Sequence, residues 1–182
     1  MKALITGSTG FIGGQLASML VERGDSVRGL LRPQSRSYVL PAGVEPVVVD
    51  NWHSQELSAA LEDREVVFHL GAAIHAPDIA AYRRANVIPT RRLLEACARR
   101  MPRLHRFVYV SSIAAAGPSP PDRPRDEADP ETPVSLYGQS KLEAEREVRG
   151  YMDRLPAVII RPPNVIGPGQ RELETLLSLL RR

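Results

Sequence analysis

The sequence predicts an α/β fold built around a parallel sheet, and three observations support this. Short apolar runs recur along the chain, stretches with helical periodicity separate them, and a glycine-rich turn follows the first run. Strands that alternate with helices of this length imply βαβ units, and hence parallel strands. The predicted strands cover residues 2–6, 26–31, 44–49, 65–70, 106–110 and 157–160. The predicted helices cover residues 11–23, 54–62, 79–100 and 135–153.

Length and composition limit the class of protein. With 182 residues, 43% of them hydrophobic, the chain is long enough for one domain with a buried core. No run approaches about 18 consecutive apolar residues, so no membrane span is predicted. Met1 leads directly into the first strand, which leaves no room for a secretory signal. Cys97 is the only cysteine, so no internal disulfide is possible, and a cytoplasmic setting is expected.

Charge and histidine placement say little about large partners or metals. The formal net charge of +3, from 24 basic and 21 acidic residues, is weak evidence for nucleic acid and fits an anionic small ligand equally well. Lys2 and Lys141 are the only lysines among those 24 basic residues. No Cys/His cluster has metal-ligand spacing, so no metal site is predicted. His69, near the end of an apolar strand, is interpreted as a satisfied buried histidine rather than a base.

The turn after the first strand has the pattern of a dinucleotide-binding loop. Gly7, Gly10 and Gly13 follow a G-x-x-G-x-x-G spacing between a strand and a helix. Gly7 would permit the tight turn, Gly10 the approach of a pyrophosphate, and Gly13 close packing of the helix on the sheet. The helix that begins near Phe11 would direct its N-terminal amides at that pyrophosphate. The alternative is a plain glycine turn without a ligand.

The end of the second strand favours NADP(H) over NAD(H). A domain of this kind usually carries an acidic residue there for the ribose hydroxyls, or an arginine for a 2′-phosphate. This strand ends at Arg32 without a carboxylate, so Arg32 is the leading phosphate contact, with Ser35 and Arg36 as candidate helpers. The alternative is a solvated loop arginine. Asp50, after the third strand, is a candidate contact for the adenine amino group or a cap for the next helix.

Tyr137 and Lys141 are the strongest catalytic candidates. They are four residues apart in a predicted helix and therefore share one face. A free phenol has a pKa near 10, and a nearby ammonium together with a cationic nicotinamide would lower it. Tyr137 would then exchange a proton with a substrate hydroxyl while hydride moves to or from the nicotinamide. The alternative is a helix-surface tyrosine beside a solvated lysine.

Two serines end the fifth strand, at the carboxyl edge where ligand sites of such sheets lie. A hydroxyl there would hydrogen-bond the reacting oxygen beside Tyr137. Ser112 is favoured over Ser111 for this role, and the alternative is that both serines only cap the strand end. A hydrolase triad built on Ser112 is rejected because the chain lacks a G-x-S-x-G elbow.

Residues 117–133 interrupt the alternation of strands and helices. They are dense in proline and charge and are predicted to form a loop. A loop of this length inside a compact domain is usually functional or mobile. We expect it to close over the substrate.

Together these motifs resemble the extended short-chain dehydrogenase/reductase family, also known as the NAD-dependent epimerase/dehydratase family. The matching segments recur in the family's order and cover essentially the whole chain. They are TGSTGFIG at 6–13, Asp50, HLGAA at 69–73, Asn86-Val87 with Thr90, YVSS at 109–112, YGQSK at 137–141 and RPPNVIGPG at 161–169.

The resemblance implies a doubly wound parallel sheet, a Rossmann fold, with Ser112, Tyr137 and Lys141 as the catalytic trio. It implies that Lys141 also binds the nicotinamide ribose and that Pro162 lies near the nicotinamide. The expected cofactor-binding residues are Gly7, Thr9, Gly10, Phe11, Ile12, Gly13, Arg32, Asp50, Asn51, Leu70, Gly71, Ala72, Ala73, Tyr137, Lys141 and Pro162. It further implies a homodimer through the helices at 79–100 and 135–153, and small hydroxy or keto substrates such as nucleotide sugars, steroids and flavonoids.

The sequence departs from the family pattern in three ways. Ala116 stands where members often have a tyrosine, and Asn51 stands where an aliphatic residue is usual. Members are also generally much longer, and their C-terminal part supplies most of the substrate pocket. Residues 1–170 are therefore expected to form the dinucleotide-binding domain, and 171–182 to begin a substrate-binding region that is truncated.

The sequence thus predicts an oxidoreductase or epimerase that prefers NADP, with NAD as the alternative, and transfers hydride to or from a hydroxyl or ketone carbon. A dehydratase is disfavoured because Ile113 and Ala114 follow Ser112, where those members often carry acidic residues. The rival interpretations are a non-catalytic dinucleotide-binding module and an inactive fragment.

Overall fold

Six strands form a single parallel sheet in the computed structural model, which describes residues 1–35, 39–50, 52, 55–167 and 170. The strands are β1 (Lys2–Thr6), β2 (Ser26–Leu31), β3 (Val44–Val48), β4 (Val66–His69), β5 (Arg106–Val110) and β6 (Ala157–Ile160). Their order across the sheet is β3-β2-β1-β4-β5-β6. Every predicted strand is present, and the parallel α/β fold is confirmed.

Helices cover both faces of this sheet. Within the described residues they are α1 (Phe11–Glu22), α2 (Gln55–Leu61), α3 (Ile79–Tyr82), α4 (Ile88–Arg100) and α5 (Leu136–Arg149). The helix predicted over 79–100 is present as one continuous helical run, in which Arg83–Val87 form a π turn between α3 and α4. Pro89 stands at the start of α4. Proline has no amide hydrogen for the helical ladder, so the regular α-helix restarts there.

The strand order reverses between β1 and β4. From β1 the chain runs outward through β2 and β3, then returns to place β4 on the other side of β1. Thr6 at the end of β1 pairs with Leu30 on β2 and with His69 on β4. The crevice outside the carboxyl ends of strands at such a reversal is where open parallel sheets bind ligands.

Apolar side chains on both faces of the sheet are buried beneath helices. Ala3 and Ile5 pack with Ala17 and Leu20 of α1 in one cluster. Leu4, between them, belongs to the larger cluster beneath α2, α4 and α5. Because successive residues of a strand point to opposite faces, burial on both sides explains why β1 is continuously apolar instead of alternating.

Residues 117–133 contain no helix or strand, as predicted. The Arg125 guanidinium donates hydrogen bonds to the carbonyl oxygens of Pro118 (3.0 and 2.7 Å) and Pro130 (2.6 Å). The Thr132 amide donates to the Ala116 carbonyl at 2.8 Å and closes the base of the loop. Hydrogen bonds to its own backbone therefore hold the segment in place, and its closure over a substrate stays a prediction.

No helix in the described part of the chain is long and apolar enough to cross a membrane. The described residues also bring together no group of three or more His, Cys, Asp or Glu side chains that would hold a metal ion.

Candidate active site

The glycine turn closes tightly at the reversal of strand order. Gly7 has φ +75°, and a Cβ there would lie 2.8 Å from the Gly71 amide nitrogen. A Cβ on Gly13 would lie 2.2 Å from the Gly7 carbonyl oxygen, which accepts the Gly10 amide at 2.9 Å. Gly7 thus permits the turn and Gly13 the close packing of α1, as predicted from their spacing. No acidic residue occupies the first turn of α1, so no side chain of that turn neutralises the positive end of its dipole.

A cleft of about 360 Å³ lies beside this turn. Eight of the predicted cofactor-binding residues line it, namely Gly7, Thr9, Gly10, Arg32, Leu70, Gly71, Ala72 and Ala73. Its remaining described lining residues are Thr6, Leu30, Ser35, Trp52, His69, Arg84, Ala85 and Pro89. Of these residues, only Ser35 is predicted from the sequence to contact a ligand.

The described lining of the cleft contains two cationic side chains, Arg32 and Arg84, and no carboxylate. Arg32 follows β2 directly, its side chain is exposed, and its amide donates to the Ser35 hydroxyl at 3.1 Å. Asp50 is exposed and does not line the cleft. The arrangement suits an anionic ligand, because both cations and the N-terminus of α1 bring positive charge to one crevice.

His69 belongs to a buried hydrogen-bonded chain that crosses the reversal point. Thr90 donates its hydroxyl proton to the Asn86 carbonyl oxygen at 2.6 Å, so its oxygen accepts from His69 Nε2 at 2.9 Å. His69 Nδ1 then accepts from the Thr6 hydroxyl at 2.6 Å, and the Thr6 oxygen accepts the Gly71 amide at 2.9 Å. Burial lowers the pKa of His69 to about 3, with Lys141 adding to the effect. His69 is therefore a neutral, satisfied buried histidine, as interpreted from the sequence.

Asn86 ties one wall of the cleft to α5. Its side-chain oxygen accepts the Ala73 amide at 2.7 Å, and its Nδ2 donates to the Ala73 carbonyl and to Ser140 Oγ, both at 3.0 Å. Ser140 in turn donates to the Tyr137 carbonyl at 2.7 Å. The segment at 71–73 is thereby held against the helix that carries Tyr137 and Lys141.

Ser112 and Tyr137 meet where α5 packs on a short 3₁₀ turn (Ile113–Ala115). The Ser112 hydroxyl accepts the Ala114 amide at 3.2 Å and begins that turn. A Cβ on Gly138 would lie only 2.3 Å from the Ala114 carbonyl oxygen, so glycine is what lets the helix approach this closely. The resulting contact places the Ser112 hydroxyl against the Tyr137 phenol.

The lowering of the Tyr137 pKa, predicted for an ammonium together with a cationic nicotinamide, stays a prediction, because the described protein groups alone act in the other direction. Burial raises the pKa of Tyr137, and the hydrogen bond with Ser112 only partly opposes the rise. The Lys141 ammonium instead donates to the Val110 carbonyl oxygen at 2.8 Å and lies 4.4 Å from the centre of the Tyr109 ring. The alternative of a solvated lysine is wrong, because Lys141 is 2% exposed. Burial lowers its pKa to about 7, against the opposing influence of Glu145.

Glu145 is the centre of a buried charge cluster that sequence reasoning missed. Its carboxylate is fully buried and accepts Ser111 Oγ at 2.5 Å, Arg161 at 2.9 and 2.6 Å, and Arg149 at 3.1 Å. Both arginines also bind Glu131 at the end of the proline-rich loop, at 2.9 and 2.6 Å. Ser111 is therefore engaged away from Tyr137, which leaves Ser112 as the serine that faces the phenol.

The segment after β6 contacts both the turn that follows Ser112 and the start of α1. The Pro162 carbonyl accepts the Ile113 amide at 3.1 Å, which places the segment after β6 beside the Ser112 turn. Further along this segment, a Cβ on Gly167 would lie 3.2 Å from the Phe11 ring at the start of α1. The segment therefore reaches from the catalytic candidates to the glycine turn.

Comparison with known proteins agrees with this geometry. The model of the NAD dependent epimerase/dehydratase family matches residues 3–182. The chain belongs to this family. A putative dihydroflavonol 4-reductase from Synechocystis is 34% identical over 188 residues, which cover 98% of this chain and 54% of that protein. A ketoreductase from Stigmatella aurantiaca that acts on a farnesylated dihydroquinoline oxide is 32% identical over 92% of this chain and 51% of that protein.

Among solved structures, the UDP-glucuronic acid 4-epimerase of Bacillus cereus in complex with NAD is similar to this chain. It has a TM-score of 0.81 and 28% identity, over 98% of this chain and 64% of that one. MoeE5 in complex with UDP-glucuronic acid and NAD has a TM-score of 0.82 and 30% identity, over 100% of this chain and 60% of that one. The chain thus spans about half the length of the curated relatives that it matches.

Not every predicted cofactor-binding residue of this family member lies in the cleft. Asn51 lies outside the described residues, as do Arg36 and the segment 171–182. The predicted residues outside the described lining of the cleft are Phe11, Ile12, Gly13, Asp50, Tyr137, Lys141 and Pro162. Asn86 links Ala73 of the lining to Ser140, which stands between Tyr137 and Lys141, and Pro162 contacts the turn that follows Ser112. Their contacts with a cofactor stay predictions.

Proposed function

We propose that this chain is the dinucleotide-binding part of an oxidoreductase or epimerase that transfers hydride between a nicotinamide cofactor and a hydroxyl or ketone carbon. The observation that carries the proposal is the link between the two halves of the site. Gly71 to Ala73 line the cleft, and Asn86 ties Ala73 to Ser140, between Tyr137 and Lys141. The family match and the NAD-bound structures of similar proteins support the same conclusion.

In this proposal the residues of the chain have distinct roles. The glycine turn and the N-terminus of α1 would hold the pyrophosphate, and Lys141 would bind the nicotinamide ribose. When bound, the nicotinamide gives or takes the hydride. Because burial raises the pKa of Tyr137, its phenol is protonated at neutral pH and suits donation of a proton to a carbonyl oxygen during reduction. Ser112 would position the reacting oxygen beside that phenol.

We further propose that NADP is preferred to NAD. Arg32 follows β2 at the position where an arginine accommodates a 2′-phosphate, and the described lining of the cleft contains no carboxylate. The test is a titration of the chain with NADPH and NADH by calorimetry. NADPH should bind more tightly, and Arg32→Asp should remove that difference. Arg103→Asp, an exposed arginine before β5, is the control with the same change of charge. Equal or tighter NADH binding would refute the preference.

The catalytic assignment is tested in a protein that contains this sequence and turns over a carbonyl substrate. Tyr137→Phe should abolish turnover, because the phenol oxygen that carries the proton is lost. NADPH binding should stay within about twofold, because the aromatic ring is kept. Full turnover of the variant would refute the assigned role and favour a non-catalytic dinucleotide-binding module.

The helices at 79–100 and 135–153 are proposed to form a homodimer interface. A groove of about 320 Å³ runs between them, and Ile88 on its wall is 42% exposed. Ile88→Glu should shift sedimentation velocity profiles from dimer to monomer. Met19→Glu, at a 66% exposed apolar residue on α1, should leave the profile unchanged. A wild-type chain that sediments only as a monomer would refute this interface.

Three expectations from the sequence stay proposals. Residues 1–170 are proposed to form the dinucleotide-binding domain and 171–182 to begin a substrate-binding region. The substrate is proposed to be a small hydroxy or keto compound, such as a nucleotide sugar. The cytoplasmic setting is inferred from the single cysteine alone.

A further inference from the structure

Arg84 is a cation in the cofactor cleft that no sequence motif singled out. It lies in the π turn between α3 and α4, its side chain is exposed, and it lines the cleft together with Ala85 and Pro89. Its neighbour Arg83 faces elsewhere and binds Glu143 of α5 through two hydrogen bonds of 2.7 and 2.8 Å. The two consecutive arginines therefore lie on different surfaces, Arg83 against α5 and Arg84 in the cleft.

The charge of Arg84 is not neutralised by the described part of the protein. Arg84 makes no ion pair with another described residue, and the described lining of the cleft contains no carboxylate. An arginine held in a concave site without an acidic partner is a binding group for an anion, because the guanidinium recognises phosphate oxygens through two parallel donors.

The π turn that carries Arg84 is linked to the segment beside the glycine turn. Gly7 packs directly on Gly71. Two residues after Gly71, the backbone amide and carbonyl of Ala73 are both hydrogen-bonded to the Asn86 side chain. Asn86 is two residues from Arg84 in the same π turn. Arg32, by contrast, extends from the end of β2 on the other side of β1. The two cations therefore approach the cleft from different strands.

We propose that Arg84 binds a phosphate of the pyrophosphate that NAD and NADP share, whereas Arg32 binds the 2′-phosphate that only NADP carries. The inference rests on the proposed function and assigns a second residue to its cofactor site. Arg84 lies in the π turn that directly precedes α4, and π turns inside helices recur at functional sites.

The test compares Arg84→Gln with Arg103→Gln, an exposed loop arginine before β5 at the opposite edge of the sheet. Affinities for NADH and NADPH are measured by calorimetry at two salt concentrations. Arg84→Gln should weaken both cofactors by about tenfold, with their ratio unchanged and with a smaller salt dependence. Arg84→Lys should recover part of the loss, and Arg103→Gln should bind like the wild type.

Three outcomes would overturn the inference. Unchanged affinity of Arg84→Gln for both cofactors would show that the guanidinium contacts no phosphate. A loss confined to NADPH would move Arg84 to the 2′-phosphate and refute the shared contact. Failure of the wild-type chain to bind either cofactor would refute the proposed function itself, and is distinguishable because it precedes any comparison of variants.

Discussion

Replacing Glu145 by glutamine tests whether the buried charge cluster holds the site together. The carboxylate is fully buried and receives hydrogen bonds from Ser111, Arg149 and Arg161. Glutamine keeps the size but removes the charge, and it turns an NH₂ group toward cationic donors. Both arginines would then share only Glu131.

The expected loss of stability depends on how exposed the partners of Glu145 are. Removing the carboxylate leaves Arg161 and Arg149, which are 17% and 42% exposed and still share Glu131, so the cost is that of the lost charge-assisted hydrogen bonds, about 1.5–3 kcal/mol. In a chain of this size each kcal/mol lowers Tm by roughly 2–4 °C, so Glu145→Gln should lower it by roughly 3–12 °C. Glu143→Gln on the same helix is the control. Its partner Arg83 is 54% exposed, and exposed pairs contribute only about 0.2–1 kcal/mol.

The assay is thermal and urea unfolding followed by circular dichroism, at a concentration where all three proteins have the same association state. The loss in Glu145→Gln should change little with salt, because buried charges are poorly screened. A Glu145→Gln protein no less stable than Glu143→Gln would refute the reasoning, since it would mean that the cluster contributes no more than a surface pair.

Two further predictions concern packing and pH. Gly138→Ala should lower stability by about 1–3 kcal/mol in urea unfolding, because its Cβ would lie 2.3 Å from the Ala114 carbonyl oxygen. Gly150→Ala, whose Cβ meets nothing closer than 3.5 Å, should be neutral or stabilising, and equal stability of the two variants would contradict the argument. The pKa of His69 is about 3 in the folded chain and 6.5 as the ordinary value, so the unfolded chain binds the extra proton between these limits. The free energy of unfolding should therefore fall as pH falls from 6.5 toward 3. His69→Gln should flatten that slope and the exposed His105→Gln should not, whereas an unchanged slope in His69→Gln would refute the assignment.

Local patterns in the sequence were sufficient to predict the strands, the helices and the glycine turn of this protein. Apolar runs and helical periodicity predicted every strand, because a parallel sheet covered on both faces needs continuously apolar strands. The roles of Gly7 and Gly13 were also predictable, since a turn between strand and helix imposes the same steric demands wherever it occurs. The spacing of Tyr137 and Lys141 placed both on one helix.

Contacts between distant segments decided the rest. The choice between Ser111 and Ser112 depends on Glu145, which is 34 residues from Ser111 along the chain. The pKa of Tyr137 depends on how deeply folding buries its phenol. Burial raises this pKa, against the lowering predicted from Lys141 and the nicotinamide. Arg84 lies in the π turn before Pro89 and lines the cleft, which no motif in the sequence predicted. The sequence alone determined the elements and their order, because these follow from local propensity and periodicity. Only the tertiary structure decided which charges are buried, paired or left facing a ligand, because burial and pairing depend on neighbours brought together by folding.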